Sequence, residues 1–195
     1  MLASESSGVT TNSLDNYKQS IAVLEKIVAN YPTNRIAPMA WGMMGICYFQ
    51  RASANPAFYA TAASAYSNAM TLVQADVATR SQAEMGIARL LEKQAEQAPV
   101  AERAALFNQA LAHYFNVVEG KNLRDNEEAA PFWVKESAVA AAHLAEDQRE
   151  WDVARSLYER LKNLVPALQA TWDARLERLK QLRVESGAAS ADSRK

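Results

Sequence analysis

Cysteine, histidine and net charge are all scarce in this sequence. The one cysteine, Cys47, excludes an intramolecular disulfide. The 21 basic and 22 acidic residues nearly cancel, so the chain lacks the electrostatic footprint of nucleic-acid binding. Two histidines and one cysteine supply few nucleophiles or bases, and no zinc, phosphate-loop or hydrolase motif occurs. We therefore expect no catalytic residues, no cofactor, no metal site and no nucleic-acid partner.

Long apolar runs are missing too. The charge-free run 36–50 is interrupted by Pro38, Gly42 and Gly45 and is shorter than the roughly 20 apolar residues that cross a bilayer. The N-terminus has neither the basic start nor the apolar stretch of a signal peptide. We expect no membrane insertion and a cytoplasmic location for the chain as written. A periplasmic or cell-envelope location is the alternative if the chain is a piece of a longer protein.

Glycine and proline are few, at six each, and the prolines separate amphipathic segments rich in helix-forming residues. No segment shows the alternation expected of strands. The chain is therefore predicted to be all-α, with Asn55 and Asp76 as helix N-caps and a loop at 120–130. Its eight predicted helices cover about 13–30, 36–51, 56–74, 77–97, 100–119, 131–147, 150–164 and 167–184. Disordered tails are expected at 1–12 and 185–195.

An internal repeat is the most informative feature of the sequence. Trp41, Met44, Gly45 and Tyr48 follow the spacing W-x2-L-G-x2-Y with methionine for leucine, and Ala62, Tyr66 and Ala69 follow A-x3-F-x2-A. The second pattern recurs as Ala110-Tyr114-Val117, as Ala154-Tyr158-Leu161 with Pro166 five residues on, and as Ser20-Leu24-Ile27. Gly86 repeats the small residue of the first pattern. This spacing resembles the tetratricopeptide repeat (TPR) family, in an irregular bacterial form.

The resemblance implies a right-handed superhelical α-solenoid of antiparallel helix pairs. Residues 13–166 would form a half repeat and three pairs, and 167–184 a capping helix. Small residues such as Gly45 and Gly86 would let the second helix approach, and bulky ones such as Trp41 would fill the space between pairs. The half repeat has its second helix but no first helix, which we interpret as an atypical start or as the remainder of a longer protein.

In the TPR family the first helices of the pairs line a groove that holds a peptide or helix of a partner. The resemblance therefore implies a non-catalytic scaffold that binds another protein, with self-association as a further possibility. Its expected groove is apolar at one end and acidic at the other, lined by Met39, Ile46, Phe49, Gln50, Arg80, Ile87, Leu90, Glu136, Val139, His143 and Glu146. A structural or assembly module of a bacterial cell-envelope complex is the alternative function.

Three further features have a structural and a functional interpretation. His143, Glu146 and Asp147 share one helix face and could bind a metal, but a solvated polar cluster is favoured because further ligands are missing. Cys47 is expected to be a small buried hydrophobe rather than a reactive thiol. Phe132 and Trp133 could anchor a partner, although stapling the start of their helix to the core is the favoured interpretation.

Overall fold

The chain folds into α-helices. The computed structural model describes residues 11–192, with side chains described for 13–185. Within residues 11–192 there are eight α-helices and no strand, which confirms the predicted all-α class. They are α1 (Thr11–Asn30), α2 (Ile36–Ala52), α3 (Phe58–Thr71), α4 (Val77–Gln97), α5 (Val100–Val118), α6 (Pro131–Asp147), α7 (Trp151–Leu164) and α8 (Gln169–Asp192).

Most helix ends lie within two residues of the predicted ones, and α3 and α8 differ more. The Asn55 side chain accepts a hydrogen bond from the amide of Ala57 at 3.1 Å, and a turn there delays α3 to Phe58. A 3-10 turn at Pro166–Leu168 precedes α8, which continues to Asp192. The prediction of a disordered tail at 185–195 is therefore wrong as far as Asp192. Residues 1–10 and 193–195 lie outside the described part of the chain, as does most of the N-terminal tail prediction.

Asp76 is the N-cap that the sequence predicts. Its carboxylate accepts a hydrogen bond at 2.7 Å from the amide of Thr79, the third residue of α4. That hydrogen bond lowers the pKa of Asp76, against the opposing effect of burial. The predicted loop after α5 is also non-helical, and Gly120 opens it with a positive φ of 71°. Local side-chain and backbone preferences therefore account for the start of α4 and for the end of α5.

The helices divide into two compact units between Leu90 and Leu91, inside α4. The first unit contains α1, α2, α3 and the larger part of α4. The second contains the end of α4 and the helices α5 to α8. The two units are described separately below.

The core of the first unit forms around α3. Tyr66 lies between two glycines, because an ideal Cβ on either Gly45 or Gly86 would fall 2.5 Å from its Cε1. Small residues thus let α2 and α4 approach the ring, as the repeat pattern predicts. The buried cluster also contains Ala52, Tyr59, Ala62, Ala69, Ala83 and Leu90.

The core of the second unit forms around α7, which packs against α6 and α8. Tyr158 is fully buried and stacks on Trp172 of α8, with ring centroids 6.1 Å apart. Tyr114 of α5 is also buried, and its hydroxyl donates a hydrogen bond to Glu92 at 2.5 Å. Most of the buried residues of α6 are small, namely Ser137, Ala138, Ala141, Ala142 and Ala145.

Candidate functional site

The second helices of the repeat pattern differ in how well they are covered. In α3, α5 and α7 all three signature positions are buried: Ala62, Tyr66 and Ala69, then Ala110, Tyr114 and Val117, then Ala154, Tyr158 and Leu161. In α1 the corresponding Ser20 is exposed, while Leu24 and Ile27 are half-buried. The same pattern that forms a core in three helices therefore reaches solvent in the first.

The first-helix signature on α2 is only partly enclosed. Met44 and Gly45 are buried, whereas Trp41 and Tyr48 are half-buried. Trp41 packs against the core cluster of the first unit while part of its side chain stays exposed. Gly86, which repeats the small residue of the first pattern on α4, is buried, as predicted. Pro166, which follows the second pattern on α7, is exposed at the start of the 3-10 turn.

An open furrow runs between α1 and α2. Its volume is about 640 Å³, and most of the surface that lines it is apolar. We call it the α1–α2 furrow, and it is lined by Asn16, Tyr17, Gln19, Ser20, Val23 and Leu24 of α1 and by Met43, Ile46 and Cys47 of α2. Because Ser20 and Leu24 belong to the repeat signature, the furrow lies where the other second helices are covered.

The outer face of α2 continues this apolar surface. Ile36, Met39 and Met43 follow one another at intervals of three and four residues, which places them on one face of the helix. All three are exposed, Met39 by 53% and Met43 by 47%. The opposite face of α2 is also apolar and packs against α3. A helix that is apolar on both faces is normally enclosed on both, so the outer face of α2 lacks a covering element within the described residues.

The electrostatics of the furrow are simple because none of its lining residues is charged. Cys47 lies at its base, and burial raises the pKa of this thiol, as expected of a buried hydrophobe. Beside the furrow, the Tyr48 hydroxyl donates a hydrogen bond to Glu25 at 3.3 Å. Burial and the Glu25 carboxylate both raise the pKa of Tyr48. Such a surface suits an apolar side chain.

The predicted groove residues of the first unit fall into three groups. Met39 and Ile46 lie on the outer face of α2, where a partner could reach them. Phe49, Gln50 and Ile87 are half-buried, and Phe49 packs edge-on against Tyr59 at 6.0 Å. Arg80 and Leu90 are buried. Arg80 donates a hydrogen bond to the carbonyl of Ala75, and Leu90 belongs to the core cluster. Assigning these two residues to a partner-binding surface is therefore wrong.

The predicted groove residues of the second unit all lie on α6. His143 is exposed and Val139 is half-buried. Glu136 pairs with its neighbour Lys135 at 2.8 Å. Glu146 turns inward, since its Oε1 is buried and its charge acts on the hydroxyl of Tyr158. Glu146 therefore does not form an acidic site with His143, and the described residues contain no metal-binding cluster of three such groups.

A second cavity of about 400 Å³ lies between α7 and α8 of the second unit. Its floor contains Trp151 and Leu179, and its rim is charged. The rim charges pair with one another: Lys162 lies 2.7 Å from Asp173, and Lys180 lies 3.1 Å from Glu177. The first pair joins α7 to α8 and the second lies within α8. Because these charges are already paired, we take the α1–α2 furrow as the better candidate.

The two aromatic residues at the start of α6 differ in exposure. Phe132 is 58% exposed and Trp133 is half-buried. The two rings meet edge-on at 5.0 Å, and the Lys135 ammonium lies 5.5 Å from the centre of the Phe132 ring. The favoured interpretation, in which both rings staple the helix to the core, therefore fails for Phe132.

Five residues of the furrow were not singled out from the sequence: Asn16, Tyr17, Gln19, Val23 and Met43. Met43 lies four residues after Met39 and three before Ile46, so it shares their helix face. The half repeat predicted at α1 was the signal for the four α1 residues, because no helix precedes α1 within the described residues.

No helix of the described chain is both long and apolar enough to cross a bilayer. Comparison with known proteins gives no match: no protein-family model, no curated protein and no solved structure is significantly similar to the chain. The fold and the furrow are thus the basis for a functional proposal.

Proposed function

We propose that the chain is a non-catalytic protein-interaction module in which the α1–α2 furrow receives a helix of a protein partner. The proposal includes the TPR-like arrangement, with the helix pairs stacked as a right-handed solenoid. The observation that carries it is the open signature of α1. Ser20 and Leu24 border the furrow, while the equivalent positions of α3, α5 and α7 are buried.

A helix is the occupant that suits this position. Tyr66 of α3 is enclosed by helices on two sides, at Gly45 and Gly86, and α7 likewise packs between α6 and α8. A helix laid against α1 and α2 would give α1 the same surroundings. Apolar side chains from such a helix would bury Val23 and Met43. Each is about half exposed and can therefore contribute about 0.8–1.5 kcal/mol when fully enclosed.

Binding of a helix can be tested with substitutions that place a charge in the furrow. Met43→Glu and Val23→Glu each put a carboxylate against an uncharged surface and should weaken binding of a captured partner at least about tenfold. Val100→Glu is the matched control, because Val100 is 79% exposed on α5 of the second unit. Surface changes of this kind leave stability within about 0.5 kcal/mol.

The measurement starts with immobilised full-length chain, to which partners from the source cell are captured. The bound segment of a captured partner is then made as a synthetic peptide and titrated calorimetrically. We expect wild type and Val100→Glu to bind alike, and the peptide to gain helical circular dichroism on binding. Equal affinity of Met43→Glu and wild type for the peptide would exclude the furrow as the binding site.

A further inference from the structure

We infer that the helix received by the α1–α2 furrow is α2 of a second copy of this chain, packed antiparallel about a twofold axis. This inference rests on the proposed function, because it names the occupant of the same furrow. It is carried by an apolar stripe on the outer face of α2, whose residue types are the same when read in either direction along the helix. The stripe consists of Ile36, Met39, Met43 and Ile46.

The four residues of the stripe lie on one face of α2. They are separated by three, four and three residues, which is the spacing of the core positions of a coiled coil. Ile36, Met39 and Met43 are exposed, and Ile46 is half-buried. Met43 and Ile46 also form a wall of the furrow. A helix packed on the stripe therefore lies over the furrow as well.

The spacing of the stripe makes it complementary to itself, as an isologous interface requires. Its midpoint lies level with Trp41, whose side chain packs against the core cluster on another face of the helix. The two methionines lie about 3 Å from that level along the axis, and the two isoleucines about 7.5 Å. Two antiparallel copies that meet there place Met39 of each against Met43 of the other. Ile36 of each then lies against Ile46 of the other.

The charges around the stripe favour the antiparallel direction. No charged residue occurs in the sequence between Arg35 and Arg51, and none of the residues that line the furrow is charged, so the two copies meet there without repulsion. A parallel pair would place each arginine level with its own counterpart and would align the two helix dipoles, and both effects are unfavourable. In the antiparallel pair Arg35 is level with the uncharged Cys47 of the other copy, and Arg51 is level with the turn before α2.

The exposed area of the stripe agrees with a reversible dimer. Ile36, Met39 and Met43 are each about half exposed, which with Ile46 amounts to roughly 300 Å² of apolar surface per copy. Apolar side chains on the α1 wall of the furrow, among them Leu24, extend this patch. Soluble proteins rarely leave an apolar patch of more than a few hundred Å² uncovered. Because a stable interface buries about 800 Å² per partner, we expect association at micromolar rather than nanomolar concentrations.

Charges introduced into the stripe test this arrangement. Met39→Glu places a carboxylate against Met43 of the other copy, and Met43→Lys places an ammonium group against Met39. Each variant should raise the dimer dissociation constant at least about tenfold, because a charge is buried without a partner at two symmetric positions. An equimolar mixture of the two variants should form a heterodimer at least about tenfold tighter than either homodimer. In that heterodimer glutamate faces lysine at one position, and the native methionines meet at the other.

Two controls test the direction and the position of the interface. A mixture of Met39→Glu with Met39→Lys should gain at most about threefold over the single variants, because in the antiparallel pair the two new charges stand about 6 Å apart along the axis. Val100→Glu changes the net charge as Met39→Glu does, at a residue that is 79% exposed on α5, and its dissociation constant should stay within about threefold of wild type. Sedimentation equilibrium of the full-length chain between about 1 and 100 μM, the range expected for a small interface, gives the association state. Circular dichroism confirms that each variant is folded.

Three outcomes would overturn the inference. The first is a wild-type chain that stays monomeric at about 100 μM, above the range in which weak interfaces associate. The second is a dimer that Met39→Glu and Met43→Lys both leave unchanged, which would place the interface elsewhere. The third is a mixture of these two variants that gains no affinity, which would exclude the antiparallel pairing. A monomeric wild type whose captured helical partner is lost in Met43→Glu would leave the proposed function standing while this inference fails.

Discussion

The glycines that face Tyr66 allow a sharp test of the core. Gly45→Ala places a methyl group 2.5 Å from Cε1 and 2.6 Å from Cδ1 of Tyr66, whereas carbon atoms pack favourably at about 3.5–4.0 Å. About 1 Å of movement is therefore required. The ring cannot retreat towards α4, because Gly86 on that side leaves no more room than Gly45 does. The strain has to be taken up by the backbones of α2 and α4.

The expected magnitude combines two opposite effects. Alanine in place of glycine favours a helix interior by about 0.5–1 kcal/mol, while overpacking a buried site costs about 1–3 kcal/mol. Because Tyr66 is enclosed on both sides, we expect the upper part of that cost. Gly45→Ala should then lower the free energy of unfolding by about 1–2 kcal/mol, as the net of these terms.

Gly42→Ala provides the control within the same helix. Its methyl group would lie 3.7 Å from Oε1 of Gln82 and 3.9 Å from Cβ of Ala69, which is ordinary van der Waals contact. Only the helix propensity changes there, so this variant should gain about 0.5–1 kcal/mol. The two glycines, three residues apart, are thus predicted to respond with opposite signs.

Urea unfolding followed by circular dichroism gives each free energy by linear extrapolation. A double-mutant cycle then assigns the cause. In a Tyr66→Leu background the ring is gone, so Gly45→Ala should lose most of its cost and show a coupling energy of about 1–3 kcal/mol with Tyr66. If Gly45→Ala proves as stable as Gly42→Ala, or if the cycle gives no coupling, the enclosure of Tyr66 by two glycines is refuted.

Three further predictions concern capping, backbone conformation and pH. Asp76→Ala should cost about 1 kcal/mol at neutral pH, and Asp76→Asn much less. The cap's charge-dependent contribution should be present above pH about 4 and be lost as acid titrates the lowered carboxyl pKa; equal urea midpoints for wild type and Asp76→Ala at pH 7 would contradict this. Arg149 follows α6 with φ at 60°, so Arg149→Gly should raise stability by about 0.5–1 kcal/mol; a lower melting temperature would disprove relief of backbone strain. Burial raises the pKa of Tyr66 and of Tyr158, so stability should fall above pH about 10, where only the unfolded chain ionises these phenols. Tyr66→Phe and Tyr158→Phe should each reduce this alkaline loss, and an unchanged loss in both variants would exclude these phenols as its cause.

Helix positions could be predicted from the sequence because proline, capping residues and apolar spacing are local signals. Asp76 caps α4 through a bond to a residue only three positions away. The end of α8 is harder to predict, because the segment after Val184 combines alanines, which favour a helix, with a glycine, which disfavours it. Residues 185–195 were predicted to form a disordered tail, but the helix continues to Asp192. A single glycine costs only about 1 kcal/mol against alanine, which neighbouring residues can offset.

The errors at the candidate site have a common cause. The predicted groove was carried over from the family pattern, although residues four apart on a helix face the same way. Leu90 lies four residues after Gly86, and Glu146 lies four after Ala142. Because Gly86 and Ala142 face the core, Leu90 and the Glu146 carboxylate must turn towards it as well. Applying the helix period to the small residues would have assigned both correctly.

The pattern on α1 could be recognised in the sequence, but its exposure could not be predicted, because the exposure of a helix depends on which other elements cover it. Leu24 has the spacing of Tyr66 within its helix, yet only Tyr66 is enclosed. A repeat unit buries its signature when neighbours on both sides supply surface. An exposed signature therefore marks a position at which one more helix can pack. In this chain that position is the α1–α2 furrow, which Ser20 and Leu24 border.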